Sequence, residues 1–164
     1  MAYKNTVAII GATTKTGARI AKSIVADYRL LLMDVAQPQL DLLQSDLVEV
    51  QKNAEVEVVN CCKDASWEAD IIVVAIDELG LDDIAEKMKV VSNGKIVVHF
   101  TLKESMPDRL QHLLPYAKVA TVLLSNSTSE TQNDHNAFIH GKDREAIELA
   151  NDLLKIMGCS LIKS

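Results

Sequence analysis

The sequence predicts an α/β fold: a doubly wound, mostly parallel sheet of about eight strands, in one domain over residues 1–164. Three observations carry this. Apolar runs of strand length alternate with helical patterns along the whole chain, as they do where helices cover both faces of a parallel sheet. One of the runs, Asp70–Ile76, is apolar almost throughout, which marks a central strand buried on both faces. The first run, Thr6–Ile10, passes through Gly11-Ala12-Thr13-Thr14-Lys15-Thr16-Gly17 into a helical pattern, so strand, tight glycine turn and helix follow in order.

The helix after that turn places Ala18, Ile20, Ala21, Ile24 and Val25 on one face. Gly11 lets the chain leave the strand sharply, and Gly17 lets the helix pack close to the sheet. The helix N-terminus then offers N–H groups and a partial positive charge to a phosphate. Gly11 and Gly17 fill the outer positions of a G-x-x-G-x-x-G turn, the variant of short-chain and related reductases. Thr14 stands at the middle position, where a side chain narrows the space for phosphate. Arg29–Met33 is a second strand and ends in Asp34, about 20 residues past the turn, where a carboxylate meets an adenosine ribose. Together these make a Rossmann-type dinucleotide-binding fingerprint.

Pro38 opens a helix with Leu40, Leu43, Leu47 and Val50 on one stripe. Val56–Asn60 is the third strand and Asp70–Ile76 the fourth. A helix covers Asp82–Lys89, and Gly94 precedes a fifth strand, Lys95–His99. Pro107 starts a short helix that ends before Pro115, and Lys118–Leu124 is strand six. Ser125–Asn136 is polar and long, the loop type that is usually functional or disordered. Ala137–His140 forms a short strand. Asp143 caps a helix bearing Ala146, Ile147, Ala150, Leu153, Leu154 and Met157; Gly158 ends it, and Ser160–Ile162 closes the sheet.

A length of 164 residues suits a single domain with a substantial core. The net charge of -6 gives no electrostatic support to a nucleic-acid or anionic-membrane role. There is no run of membrane-spanning length and no signal-peptide pattern, so the cytoplasm is the expected compartment. Cys61, Cys62 and Cys159 lack metal-site and C-x-x-C spacing and are expected to be reduced, mostly buried thiols.

Two chemistries are excluded. Gly17 is followed by Ala18 and Arg19, so the turn is not a P-loop. The short-chain reductase pair, Tyr with Lys four residues on, is absent: Tyr3, Tyr28 and Tyr116 are followed at that spacing by Val7, Leu32 and Ala120. Among the histidines, His99 is the best placed for acid–base work, at the end of strand five. His112 is expected on a helix surface, and His135 and His140 flank the late loop and strand without forming a metal pair.

Several segments together carry a family resemblance: Val7–Thr13, Glu68–Ile76, Leu114-Pro115-Tyr116-Ala117-Lys118-Val119, His140–Ala146 and Met157-Gly158. Across its whole length the chain resembles the N-terminal domain of the deazaflavin-dependent NADP oxidoreductase family, within the 6-phosphogluconate-dehydrogenase-like group. The resemblance implies a nicotinamide dinucleotide, either NAD or NADP, along the carboxyl edge of the sheet. It departs from the family at Asp34, which is followed by Val35, Ala36 and Gln37 rather than by arginine or serine, and this favours NAD or no dinucleotide at all. Longer members of the group carry a helical domain that completes active site and dimer.

The expected site is therefore Gly11, Thr13, Thr14, Lys15, Thr16 and Gly17 on the pyrophosphate, Asp34 on the ribose, and Ala75, Ile76 and Asp77 near the nicotinamide half. No catalytic residue and no metal ligand is assigned. Two functions fit: an oxidoreductase, or a domain of one, that transfers hydride; and a non-catalytic domain that senses a nucleotide or forms a structural dimer. A homodimer is expected in either case, to cover the apolar terminal segment and an unpaired sheet edge.

Overall fold

The computed structural model describes residues 4–76, 80–101, 108–124 and 136–161. Fourteen elements follow in chain order: β1 (Thr6–Ile10), α1 (Lys15–Ile24), β2 (Arg29–Met33), α2 (Gln37–Val50), β3 (Val56–Val58), α3 (Cys62–Glu68), β4 (Ile71–Val74), α4 (Leu81–Met88), β5 (Ile96–Thr101), α5 (Arg109–Leu113), β6 (Lys118–Leu124), β7 (Asn136–Gly141), α6 (Arg144–Ile156) and β8 (Ser160–Leu161). The eight strands form one sheet in the order β3-β2-β1-β4-β5-β6-β7-β8. β1 to β6 are parallel, β7 runs antiparallel to β6, and β8 is parallel to β7.

Strand alternation divides the core in two. Val7 and Ile9 of β1, Leu30 and Leu32 of β2 and Val98 of β5 face one side, where Ile20 and Ile24 of α1, Leu40, Leu43 and Leu47 of α2, and Leu153 and Leu154 of α6 cover them. Ala8, Ile10, Leu31, Ile72 and Val97 face the other, under Ala65 of α3, Leu81 and Met88 of α4 and Leu110 of α5. Both faces of β1 and β4 are fully buried, which is why their sequences show no polar alternation. Each large aliphatic side chain sealed in this way contributes about 1.5–3 kcal/mol.

The boundaries differ from the sequence expectations at informative places. β4 is only Ile71–Val74, because Asp70 stands at its amino end, where its carboxylate accepts from the Thr6 N–H at 2.9 Å. β5 continues two residues past His99 to Thr101. β3 stops at Val58, and the closing strand's described part is Ser160–Leu161. Val50 does not join the apolar stripe of α2. It is the last residue of that helix, beside the three-residue edge strand, and is 84% exposed. α3 has no counterpart in the sequence reading: its buried residues are Cys62, Ala65 and Ser66, too small and too few to give a hydrophobic period. The last helix is as expected, with the Asp143 carboxylate accepting from the Ala146 N–H at 2.9 Å. Pro107, Asp77 and the segment 125–135 lie outside the described residues.

Candidate functional site

The chain order reverses direction at β1, whose neighbours are β2 and β4. In open α/β sheets the carboxyl ends at such a switch point border the ligand crevice. Here those ends are Ile10, Met33 and Val74, and the glycine turn follows the first of them.

Gly11 has a φ of +85°, the left-handed region that favours glycine, and a β-carbon on it would lie 2.5 Å from the Ala75 carbonyl oxygen. The turn is held by its own backbone. Gly11 N and Ala12 N both donate to the Met33 carbonyl, at 2.9 and 3.2 Å, and Thr14 N donates to Gly11 O at 3.2 Å. Thr14 is the N-cap of α1: its hydroxyl accepts from Gly17 N at 3.0 Å. The same oxygen lies 2.8 Å from Gly11 O and 3.0 Å from Ala75 O, and its single proton is shared between those two acceptors. A side chain at the middle position of the turn therefore does more than narrow the space. It bolts the turn to the end of β4.

Thr13 and Asp34 meet across β1 and β2. Both donors of Thr13 go to one carboxylate oxygen: the N–H to Asp34 Oδ2 at 3.0 Å and the hydroxyl to the same atom at 2.5 Å. The other oxygen, Oδ1, accepts from Val35 N at 2.8 Å. Lys15 and Thr16 open α1, Lys15 exposed and Thr16 half-buried. Their two N–H groups have no acceptor among the described residues, whereas those of Gly11, Ala12, Thr13, Thr14, Gly17 and Ala18 are all used within the turn. Among the described residues, the donors this turn leaves without an acceptor are thus the first two amides of α1, beside a lysine side chain.

The structure brings together Gly11, Thr13, Thr14, Gly17, Asp34 and Ala75 through these contacts. Ile76 follows half-buried, and Asp77 lies outside the described residues. His99 is only 5% exposed within β5 and is not displayed at a strand end, because the strand runs on to Thr101. Strand register puts His99, Thr121 and His140 in one row across β5, β6 and β7.

The sequence reading missed two features. One is the pairing of Thr13 with Asp34. The other is a contact of 2.6 Å between His140 Nε2 and Asp108 Oδ1, beside a cavity of about 70 Å³ that His112 and Thr121 also line. Nothing in the local sequence pairs residues 32 apart; the capping role of Thr14 was also left unread, although a threonine before a helix is its usual signal. The hydrogen bond from His140 holds the Asp108 carboxyl below its ordinary value, helped by the charges of His140, Lys142 and His112. His112 is exposed, as expected. Among the described residues no three His, Cys, Asp or Glu side chains gather as a metal set. Cys61 is exposed rather than buried, while Cys62 is buried and Cys159 half-buried. Burial pushes both of the latter thiols up.

No family model and no curated protein matches this sequence. Solved structures do. A pyrroline-5-carboxylate reductase from Coxiella burnetii superposes with a TM-score of 0.77 at 13% identity, over 99% of this chain and 60% of that one. An imine reductase from Myxococcus stipitatus in complex with NADP+ gives 0.71 at 18%, over 96% and 54%. A 3-hydroxyacyl-CoA dehydrogenase from Archaeoglobus fulgidus gives 0.70 at 17%, over 96% and 55%. The chain spans little more than half the length of these proteins, and the likeness establishes its fold as the Rossmann-type domain they share.

Proposed function

We propose that this chain holds a nicotinamide dinucleotide along the carboxyl edge of its sheet and acts as an oxidoreductase, or as the cofactor domain of one, with a substrate that is not specified. The observation that carries this is a turn in which two amides, of Lys15 and Thr16, have no acceptor among the described residues, and whose Thr13 holds an acid, Asp34, just past β2. Gly11 and Gly17 let the turn close against the end of β4 and the start of α1, where a β-carbon would collide with backbone, and the donors left over suit an anion at a helix N-terminus. In this reading Gly11, Thr13, Thr14, Lys15, Thr16 and Gly17 surround the pyrophosphate. Asp34 accepts from the adenosine ribose, and Ala75, Ile76 and Asp77 border the nicotinamide half. The cofactor supplies hydride chemistry, and the residues of the chain bind and orient it. The imine reductase neighbour is a complex with NADP+, which supports a dinucleotide here; Asp34, with no arginine after it, favours NAD.

The resemblance to the deazaflavin-dependent family suggests a deazaflavin as the hydride partner. The three cysteines are free thiols, which suits a reducing, cytoplasmic compartment. Among the described residues β8 is the last strand of the sheet, an edge that a two-fold dimer would cover. Light scattering at micromolar concentration tests the dimer: a single species of 18.0 kDa refutes it.

One observation favours the second reading, a dinucleotide-binding domain without turnover: His99, on the strand best placed to carry an acid–base group, is buried. Titration with NAD, NADP and their reduced forms tests binding. Asp34→Ala is expected to weaken NAD by about 1–3 kcal/mol, the range for a hydrogen bond to a charged group. Absence of binding to all four at millimolar concentration overturns the proposal. Oxidation of NADH or NADPH with a deazaflavin acceptor separates turnover from binding alone.

A further inference from the structure

We infer that Thr13 is a second reader of the ribose, so that the hydroxyl pair of the sugar is met by two residues rather than by Asp34 alone. The inference rests on the dinucleotide reading above. An ionised carboxylate offers about four acceptor positions, two on each oxygen. On Asp34, Oδ2 already takes two donors, the N–H and the hydroxyl of Thr13, and Oδ1 takes one, from Val35. One acceptor position remains, on Oδ1. A ribose cis-diol brings two donors. The second must find another acceptor close to Asp34, and Thr13 Oγ1 is that atom: it spends its proton on Asp34 and keeps its own lone pairs.

The same count sets specificity. A 2′-phosphate presents only acceptors at neutral pH, and in this corner both of the donors of Thr13 are already committed to Asp34. A phosphate there meets a carboxylate and the oxygen of a hydroxyl whose proton is already committed, and neither donates to it. Thr13 therefore adds to the discrimination between NAD and NADP that Asp34 begins, by locking the acid and by keeping an acceptor beside it.

Thr13→Val and Thr13→Ser, with calorimetric titration of NAD, its 2′-deoxy and 3′-deoxy analogues and NADP, test this. Thermal unfolding confirms that each variant folds. The expected result is a loss of about tenfold in NAD affinity for Thr13→Val, near the upper end of what one hydrogen bond contributes. That loss vanishes for one of the two deoxy analogues, the one lacking the hydroxyl that Thr13 reads. Thr13→Ser restores wild-type affinity, and the NAD-to-NADP ratio narrows in the valine variant only. Equal losses for NAD and both deoxy analogues would mean that Thr13 only supports the turn, and would overturn the inference, as would no loss at all. A wild type that binds neither NAD nor NADP removes the dinucleotide reading itself, whereas wild-type binding with an unchanged Thr13→Val variant removes only the role of Thr13.

Discussion

A β-carbon placed on Gly17 would stand 2.1 Å from the carbonyl oxygen of Gly11. Two backbone segments, the first turn of α1 and the start of the glycine turn, touch there with no side chain between them. The neighbour is backbone, not the movable tip of a side chain, so relief requires shifting the helix or the turn. Gly17→Ala therefore sets two effects against each other. Alanine gains up to about 1 kcal/mol of helix propensity over glycine, while overpacking costs about 1–3 kcal/mol. Overpacking is expected to win, with a net loss of stability in urea denaturation and a larger loss for Gly17→Val. A stabilised alanine variant would show that the turn does not approach the helix as closely as this.

Thr14 is expected to matter through its hydroxyl. Its oxygen accepts from Gly17 N and reaches the carbonyls of Gly11 and Ala75. Thr14→Ala removes the cap and the tie to β4 together, at a cost of about 1 kcal/mol for the cap alone. Thr14→Ser keeps the oxygen and is expected to stay close to wild type. Equal midpoints for the alanine and serine variants in chemical denaturation would contradict the capping role.

The Rossmann architecture was legible because β1, β2 and β4 carry long apolar stretches and the turn between β1 and α1 has glycine where two backbones meet. The last helix was legible because Asp143 is a good cap and its apolar positions recur at helical spacing. α3 was not, since small residues such as Ala65 and Ser66 can be buried without leaving a periodic signal. Within the candidate site, the place of Asp34 just past β2 was readable from its distance past the turn. Its contacts with Thr13 were not, because they depend on how the parallel register of β1 and β2 sets two loops side by side. The same holds for Asp108 and His140, which come together because α5 and β7 both lie against β6.

That second pair gives a pH dependence. Asp108 is held below its ordinary value chiefly by the hydrogen bond from His140, so its carboxyl has a lower pKa in the folded chain than in the unfolded one, where it is about 3.9. In the acid range the unfolded chain then binds more protons. The stabilisation is present above the unfolded value and is lost as pH falls through the folded one. Both side chains are about half exposed, at 44% and 53%, so the effect is small. Asp108→Asn is expected to be less stable than wild type at pH 6, with the difference fading towards pH 3. A difference that grows on acidification in urea denaturation would reverse the sign of this argument.

The three thiols are expected to react at very different rates. Cys61 is exposed at the start of α3, whereas Cys62 is buried next to it, with its Sγ 4.0 Å from Ser66 Oγ. Burial raises the Cys62 thiol and so lowers its thiolate fraction, and the thiolate is the reactive form. Cys159 is half-buried and is also raised by burial, although the Arg19 guanidinium, 3.7 Å from its sulfur, pulls the other way. A disulfide reagent at pH 8 should thus titrate one thiol quickly in the native protein, and all three after denaturation. Cys61→Ser should remove the fast phase and leave the slow ones. Two fast thiols in the native chain, the second of them lost in Cys62→Ser, would mean that Cys62 is not sealed beneath α3, and that the face of the sheet carrying Ala8, Ile10 and Leu31 opens on the timescale of the reaction.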